Sequence, residues 1–145
     1  MRIHGDGGHA AVVREIPSQD IDGWIVAVGD NAIRKREAAN YQNFALAIHP
    51  SAVVSRSSKI GCGTVIMAGA VIQARAVIGQ HVIVNTGATV DHDCVIEDYA
   101  HIAPGVHLCG GVHVGEGALV GVGSCAVPGA QITQWSVVPA GSVIK

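Results

Sequence analysis

Asp91, His92 and Asp93 set an imidazole between two carboxylates, within the run Asn85-Thr86-Gly87-Ala88-Thr89-Val90-Asp91-His92-Asp93-Cys94. A carboxylate that accepts the Nδ1 proton of a histidine fixes its tautomer and leaves Nε2 free to take a proton, the arrangement of a general base. Neighbouring side chains in an extended segment alternate sides. One of the two acids is therefore expected to orient His92, and Asp93 is favoured. Taken alone, the triplet would serve equally well as a solvated corner, so its meaning depends on the elements that carry it.

Those elements are legible as a repeat. Stepping by six from Ile48 reaches Val54, Ile60, Ile66 and so on to Ile144, and every position is Ile, Val or Leu except Ala126. No residue is inserted or deleted along the run. A small residue follows four positions after each aliphatic one, and the site just before it is glycine at nine of sixteen positions. This pattern predicts a three-sided solenoid: each hexapeptide supplies a short strand and a corner, and three of them close a coil of 18 residues. The aliphatic residue points inward, the small one packs at the bend, and glycine reaches backbone conformations that strain other residues. The repeat spans about five coils, in which parallel strands of neighbouring coils pair.

With 18 residues per coil, spacing becomes geometry. His101 lies nine residues, half a coil, after His92, so the two histidines of one chain fall on different sides of the column. They can meet only if a second copy brings its own His101 opposite His92, which points to a site between subunits. Gly110 follows His92 by one full coil and is expected directly over it, where bare backbone can approach a ligand closely. His107 and His113 share the repeat position of His101 but fall on the other two faces, outside any single cluster.

Composition agrees with a β-structure. The 145 residues include 22 Val and 15 Ile against three Leu, and β-branched side chains suit strands. Charged residues make up 14% and hydrophobic ones 49%, which excludes a disordered, highly charged chain. Residues 76–144 contain no Lys or Arg, so no basic stripe awaits a nucleic acid. Cys62, Cys94, Cys109 and Cys125 have neither CxxC spacing nor a dense framework, as expected of reduced thiols. Met1 is followed by polar residues and glycine rather than an apolar run, and the uncharged stretch 117–144 is rich in Gly, Ser, Pro and Gln. A cytoplasmic protein without membrane insertion is expected.

The run from Asn85 to Val112, with Gly5-Asp6-Gly7-Gly8-His9-Ala10 near the start, resembles the family of sialic acid O-acetyltransferases and UDP-amino-sugar N-acetyltransferases. The resemblance is strong over 48–144, moderate over 24–37 and weak over 1–16. It implies an all-β solenoid, a left-handed parallel β-helix whose handedness departs from the usual right-handed crossover, assembled as a homotrimer with active sites between subunits. It also implies acetyl-CoA as co-substrate, His92 as base, Asp93 as its acid, Asn85 as the motif asparagine, and His101 as a group that polarises the acetyl carbonyl. Acetyl-CoA would lie along the cleft between columns, against backbone at Gly110, Val122 and Ala140. The reaction implied is acetyl transfer to the amino group of a nucleotide-linked amino sugar in polysaccharide biosynthesis. Transfer is expected to be direct, because no activated serine or cysteine accompanies His92. O-acetylation of a sialic acid, and a sugar-nucleotide-binding scaffold without catalysis, are the alternatives.

Residues 1–47 read as a reduced α/β segment that binds the nucleotide sugar, ahead of the β-helix at 48–145. A strand at Arg2-Ile3-His4, a helix over Ala10–Ile16, a buried strand from Trp24 and a helix from Ala32 to Asn40 are expected. Gly7 and Gly8, with the helix terminus, would cradle a phosphate beside His9, and the resemblance places Asn31 and Arg34 at the nucleotide sugar. The segment Pro17 to Asp22 leaves room for only a turn, where the family has more strands. Of the histidines, only His4 and His9 have the close spacing of zinc ligands, and they lie outside the repeat, so no metal is expected.

Overall fold

The computed structural model describes residues 1–16 and 22–145. Its first part holds β1 (Arg2–His4), α1 (Gly8–Arg14), β2 (Trp24–Val26) and α2 (Asn31–Ala38). β1 and β2 pair in parallel, Arg2 opposite Trp24. Both expected helices are present, each starting slightly earlier than predicted. α2 begins at Asn31 because Asp30 caps it, its Oδ1 accepting the Ile33 N–H at 2.8 Å. The turn expected over Pro17 to Asp22 lies outside the described residues but for Asp22.

Seventeen two-residue strands, β3 to β19, then follow from Ala47–Ile48 to Val143–Ile144, one every six residues. Each pairs in parallel with the third strand after it, so residues 18 apart are neighbours: Thr89 lies between Val71 and His107. The strands sort into three sheets of six, six and five. The first face begins at β3 (Ala47–Ile48), the second at β4 (Val53–Val54) and the third at β5 (Lys59–Ile60). The second residue of each strand points inward. Ile66, Val84, Ile102 and Val120 of the first face are fully buried, as are the corner residues Ala70, Ala76, Val82, Ala88 and Cys94. Each buried valine or isoleucine contributes about 1.5–3 kcal/mol. The column therefore stands on small aliphatic layers without an aromatic residue in them.

From residue 63 onward the backbone takes the left-handed conformation just before each small corner residue, and nine glycines occupy such sites, from Gly63 to Gly141. Five corners carry a side chain there instead: Arg75 (φ 60°), His81 (54°), Asp93 (60°), Tyr99 (59°) and Trp135 (55°). A side chain in this region costs roughly 1–2 kcal/mol, so each of the five marks a position where something outweighs the strain.

The first part packs on the outer side of the first face. Ala10, Val13, Ile16, Ile25, Ala27 and Ala45 form one cluster with Ala47, Val65 and Met67. Outward residues there are covered, Val65 at 2% exposure, whereas Val53 on the second face is 63% exposed. Among the described residues no helix is long and apolar enough to cross a membrane.

Candidate active site

His92 stands at the edge between the second and third faces, in the corner joining β10 (Thr89–Val90) to β11 (Val95–Ile96). Its Nδ1 lies 2.7 Å from Asp93 Oδ2. Asp91 Oδ1 instead accepts the His92 backbone N–H at 2.7 Å. The two acids thus divide the work: Asp93 orients the ring and Asp91 caps the backbone. The His92 side chain is 56% exposed, with Nε2 facing no protein acceptor or donor among the described residues.

Asp93 has a second partner. Arg75, one coil earlier, grips its carboxylate with both edges of a fork, Nε to Oδ1 and Nη2 to Oδ2, each at 2.7 Å. These bonds, then that of His92, hold the Asp93 carboxyl far below the usual carboxylate range. Gly110 lies one coil later. A Cβ built there would fall 2.7 Å from His92 Nε2, so the ring rests on space that only glycine leaves. Among the described residues the Gly110 N–H is open, as are those of Ala68, Ala74, Val122 and Ala140 at the same position of other corners. At the same corner position, the amides of Gln80, Thr86 and Glu116 donate to the side-chain oxygens of Asp98, Asn85 and Glu97 at 2.7, 2.8 and 2.9 Å. Gly110 N–H has no partner among the described residues. Beside it, a groove of about 270 Å³ is lined by Val71, Gln73, Thr89, Asp91, His107 and Cys109.

A second polar cluster occupies the first face, on the opposite side of the column from the His92 edge. His101 opens β12 (His101–Ile102), and its Nε2 lies 3.1 Å from Asn85 Nδ2. Asn85 Oδ1 accepts the Thr86 N–H, so the amide turns its NH2 toward the imidazole and Nε2 is the acceptor. With Nε2 accepting, the neutral imidazole carries its proton on Nδ1. His9 approaches with a ring-centroid distance of 6.5 Å, its Nε2 buried and without a partner.

Arg34, 1% exposed, underlies this cluster. Its guanidinium donates to the carbonyls of His81 (2.9 Å), Val28 (2.9 Å), Gly29 (3.2 Å) and Tyr99 (2.6 Å), and to Asn31 Oδ1 (2.8 Å). Burial lowers its pKa to about 10, and it stays a cation at neutral pH. Burial first, then this neighbouring cation, lowers the pKa of His9, His81 and His101 to about 4. All three rings are neutral at pH 7.

Residues 57–92 match the bacterial transferase hexapeptide family (six repeats). Over 48 residues the chain is 50% identical to UDP-N-acetylbacillosamine N-acetyltransferase of Bacillus subtilis (strain 168); that stretch is 30% of this chain and 22% of the relative's length. The acetyltransferase domain of PglB from Neisseria gonorrhoeae FA1090 is 34% identical across 99% of this chain and 90% of its own, with a TM-score of 0.92. PerB from Caulobacter crescentus, solved in complex with CoA and GDP-perosamine, is 36% identical across 99% and 87%, also with a TM-score of 0.92. The chain belongs to the hexapeptide-repeat acetyltransferases. Its column is the left-handed parallel β-helix of that family.

Within this acetyltransferase the expected residues fall into two groups. His92, Asp93 and Gly110 meet at one edge; Asn85, His101 and His9 meet on the opposite face, with Asn31 and Arg34 behind them. Three expectations change. Arg34, expected at the nucleotide sugar, is consumed by six acceptors inside the protein, the Ala100 carbonyl at 3.4 Å among them, and presents no donor to a ligand. Asn31 is likewise engaged: its Nδ2 donates to the carbonyls of Gly117 and Ala118 at 3.0 and 3.2 Å, and its Oδ1 accepts from Arg34. The pair fastens α2 to the column. Gly110 was expected to face a ligand with bare backbone; the space above its Cα holds the His92 ring, and its free amide remains. Gly7 caps α1 without a side-chain bond, and Gly8 opens that helix. Val122, 54% exposed, and Ala140 lie at the edge between the first and second faces. Arg75 is the residue that sequence reasoning passed over. Among the described residues no three His, Cys, Asp or Glu side chains gather as metal ligands.

Two predictions arise here. Gly110→Ala drives a methyl into the His92 ring, and a displacement on the ångström scale costs about 10²-fold in kcat; steady-state kinetics with unchanged thermal stability is the expected result. The neutral histidines give the second. Their folded pKa values of about 4 lie below the unfolded value of 6.5. Stability is therefore intact above pH 6.5 and falls as pH drops toward 4, where the unfolded chain binds more protons. Urea midpoints at pH 7.5 and 5 should differ in that direction, less so in His81→Asn.

Proposed function

We propose that the protein transfers the acetyl group of acetyl-CoA to the amino group of a nucleotide-linked amino sugar. The observation that carries this reading is the His92 ring, held through Nδ1 by Asp93 with Nε2 open toward solvent. As the amine attacks the thioester, the C–N bond forms and Nε2 takes the amine proton. The C–S bond then breaks and that proton passes on to the departing thiolate. The free Gly110 N–H donates to the oxygen that gathers charge as the carbonyl becomes tetrahedral. Transfer is direct, because no hydroxyl or thiol hydrogen-bonds to the His92 ring among the described residues.

The assembly is a homotrimer in which His92, Asp93 and Gly110 of one copy face Asn85 and His101 of the next. The position of the two groups on opposite sides of one column supports this, since a cleft between columns is the only way to unite them. In the united site, His101 Nε2 holds one Asn85 amide proton, and the second amide proton is left for the acetyl carbonyl. Acetyl-CoA lies along the groove beside His92 and the backbone near Val122 and Ala140. Residues 1–47 form a reduced nucleotide-sugar segment, in which Gly7, Gly8 and His9 take the phosphate side of the acceptor, and 48–145 form the acetyltransferase body. PerB holds CoA with GDP-perosamine, and the PglB domain has been solved with acetyl coenzyme A. This likeness supports a sugar nucleotide as acceptor; a cytoplasmic setting and a product destined for polysaccharide are part of the same proposal.

The test is to mix the protein with acetyl-CoA and a panel of UDP- and GDP-linked amino sugars and sialic acids, and to follow free CoA. Release with an amino sugar nucleotide is expected. Release only with a sialic acid would make it an O-acetyltransferase, and binding without release would make it a scaffold.

A further inference from the structure

The corner column that carries the base holds one group the reaction above does not use. Along this edge, Ser57, Arg75, Asp93, Gly111 and Gly129 stack one coil apart, and only Arg75 and Asp93 place side chains in the left-handed region, both at φ 60°. The two side chains are bonded to each other through both carboxylate oxygens, and Asp93 Oδ2 is shared by Arg75 Nη2 and His92 Nδ1 at 2.7 Å each. An exposed ion pair adds little to stability, and here Arg75 is 65% exposed. A backbone conformation that disfavours any side chain but glycine's subtracts from it. The pair is thus a poor stabilising device in a position where glycine stands at most other corners. It sits instead on the acid that aims the base.

We propose that Arg75 is a positioning residue of the transfer reaction, fixing the plane of the Asp93 carboxylate that aims the His92 ring and offsetting the charge of that carboxylate. The inference rests on the reading of His92 as the base. Its physical content is a balance of charges. A bare carboxylate at the Nδ1 side draws a proton onto the imidazole. A guanidinium bonded to the same carboxylate makes the pair close to neutral and weakens that pull. The groups that face His92 are Asp91 and Asp93 from its own corner and Arg75 from the coil before. From the coil after come the uncharged Gly110, with His107 and Cys109 in the adjoining groove. Arg75 is the cation among them, and no other Lys or Arg occurs from residue 76 to 144 to replace it.

Arg75→Gly tests this without endangering the fold, because glycine relieves the strained corner. Thermal stability is expected to stay level or rise while kcat falls. The acid limb of the kcat/KM profile should move to higher pH. Histidine NMR of the variant should show the His92 ring moving in the same direction, and Arg75→Lys should restore the limb while recovering kcat only in part, lacking the fork. A merely structural arginine would give the reverse pattern, a lower melting temperature with the limb and the ring titration unmoved; that result overturns the proposal. His92→Gln separates the two readings. If it abolishes turnover while Arg75→Gly moves neither titration nor limb, Arg75 alone is wrong. If it leaves turnover unchanged, the base reading falls first, and the role of Arg75 with it.

Discussion

Replacing His92 with asparagine is expected to lower kcat by about 10²–10⁴-fold, the usual share of a positioned general base, with little change in the KM for acetyl-CoA. The side chain sits outside the column, 56% exposed, so the layers of Ile and Val beneath it do not depend on it. Its one side-chain bond is to Asp93, and the corner backbone is held separately by Asp91 and by the Gly111 N–H donated to His92 O at 2.9 Å. The loss should therefore appear in the chemical step. Binding of acetyl-CoA by calorimetry and the melting temperature should match the unmodified protein. Asp93→Asn should lose less, because an amide oxygen can still accept the Nδ1 proton while giving up the charge. A His92→Asn enzyme that retains full turnover would leave this corner without a catalytic part.

Arg34→Met is expected to destabilise the fold by about 3–5 kcal/mol, the scale set by several buried acceptors losing a charged donor together. Methionine preserves much of the volume, so the deficit is in hydrogen bonds rather than packing. Five carbonyls, from His81, Val28, Gly29, Tyr99 and Ala100, and Asn31 Oδ1 would be left in a site that is 1% exposed at the arginine. They belong to two parts of the molecule: His81 and Tyr99 are corners of the column, whereas Val28, Gly29 and Asn31 precede or open α2. Damage should spread accordingly. Hydrogen exchange of the full chain should show the amides of α1, β2 and α2 losing protection while those of the middle coils keep theirs. Uniform protection would mean that the apolar cluster around Val13, Ile25 and Val65 suffices to hold the first part in place.

The column was legible because an uninterrupted six-residue period over 48–144 converts sequence distance into position. It put Gly110 over His92, and it assigned His101, His107 and His113 to three faces, as the strands beginning at those residues are placed. The same rule contained the signal for Arg75, which precedes Asp93 by one coil. It was missed because an arginine at a corner reads as a solvated charge unless one asks why glycine is absent there. The five left-handed corners with side chains, Arg75, His81, Asp93, Tyr99 and Trp135, do more than turn the chain. His81 and Tyr99 stack at 5.0 Å and give their carbonyls to Arg34, and Trp135 covers Gly117 next to Lys35. Arg34 was misread for a different reason. It was placed at the nucleotide sugar by the family resemblance, which covers 24–37 only moderately. Its burial follows from contacts with residues 81 and 99 that no local pattern encodes.

Subunit complementation tests the shared site most directly. His92→Ala and His101→Ala chains, each nearly inactive alone, are unfolded together and reassembled in equal amounts. If the base of one copy works opposite the amide cluster of the next, a quarter of the randomly formed boundaries regain both intact halves, and about a quarter of the original turnover returns. If each chain completes its own site, every site in the mixture keeps one defect, and the reassembled protein stays as inactive as its parents.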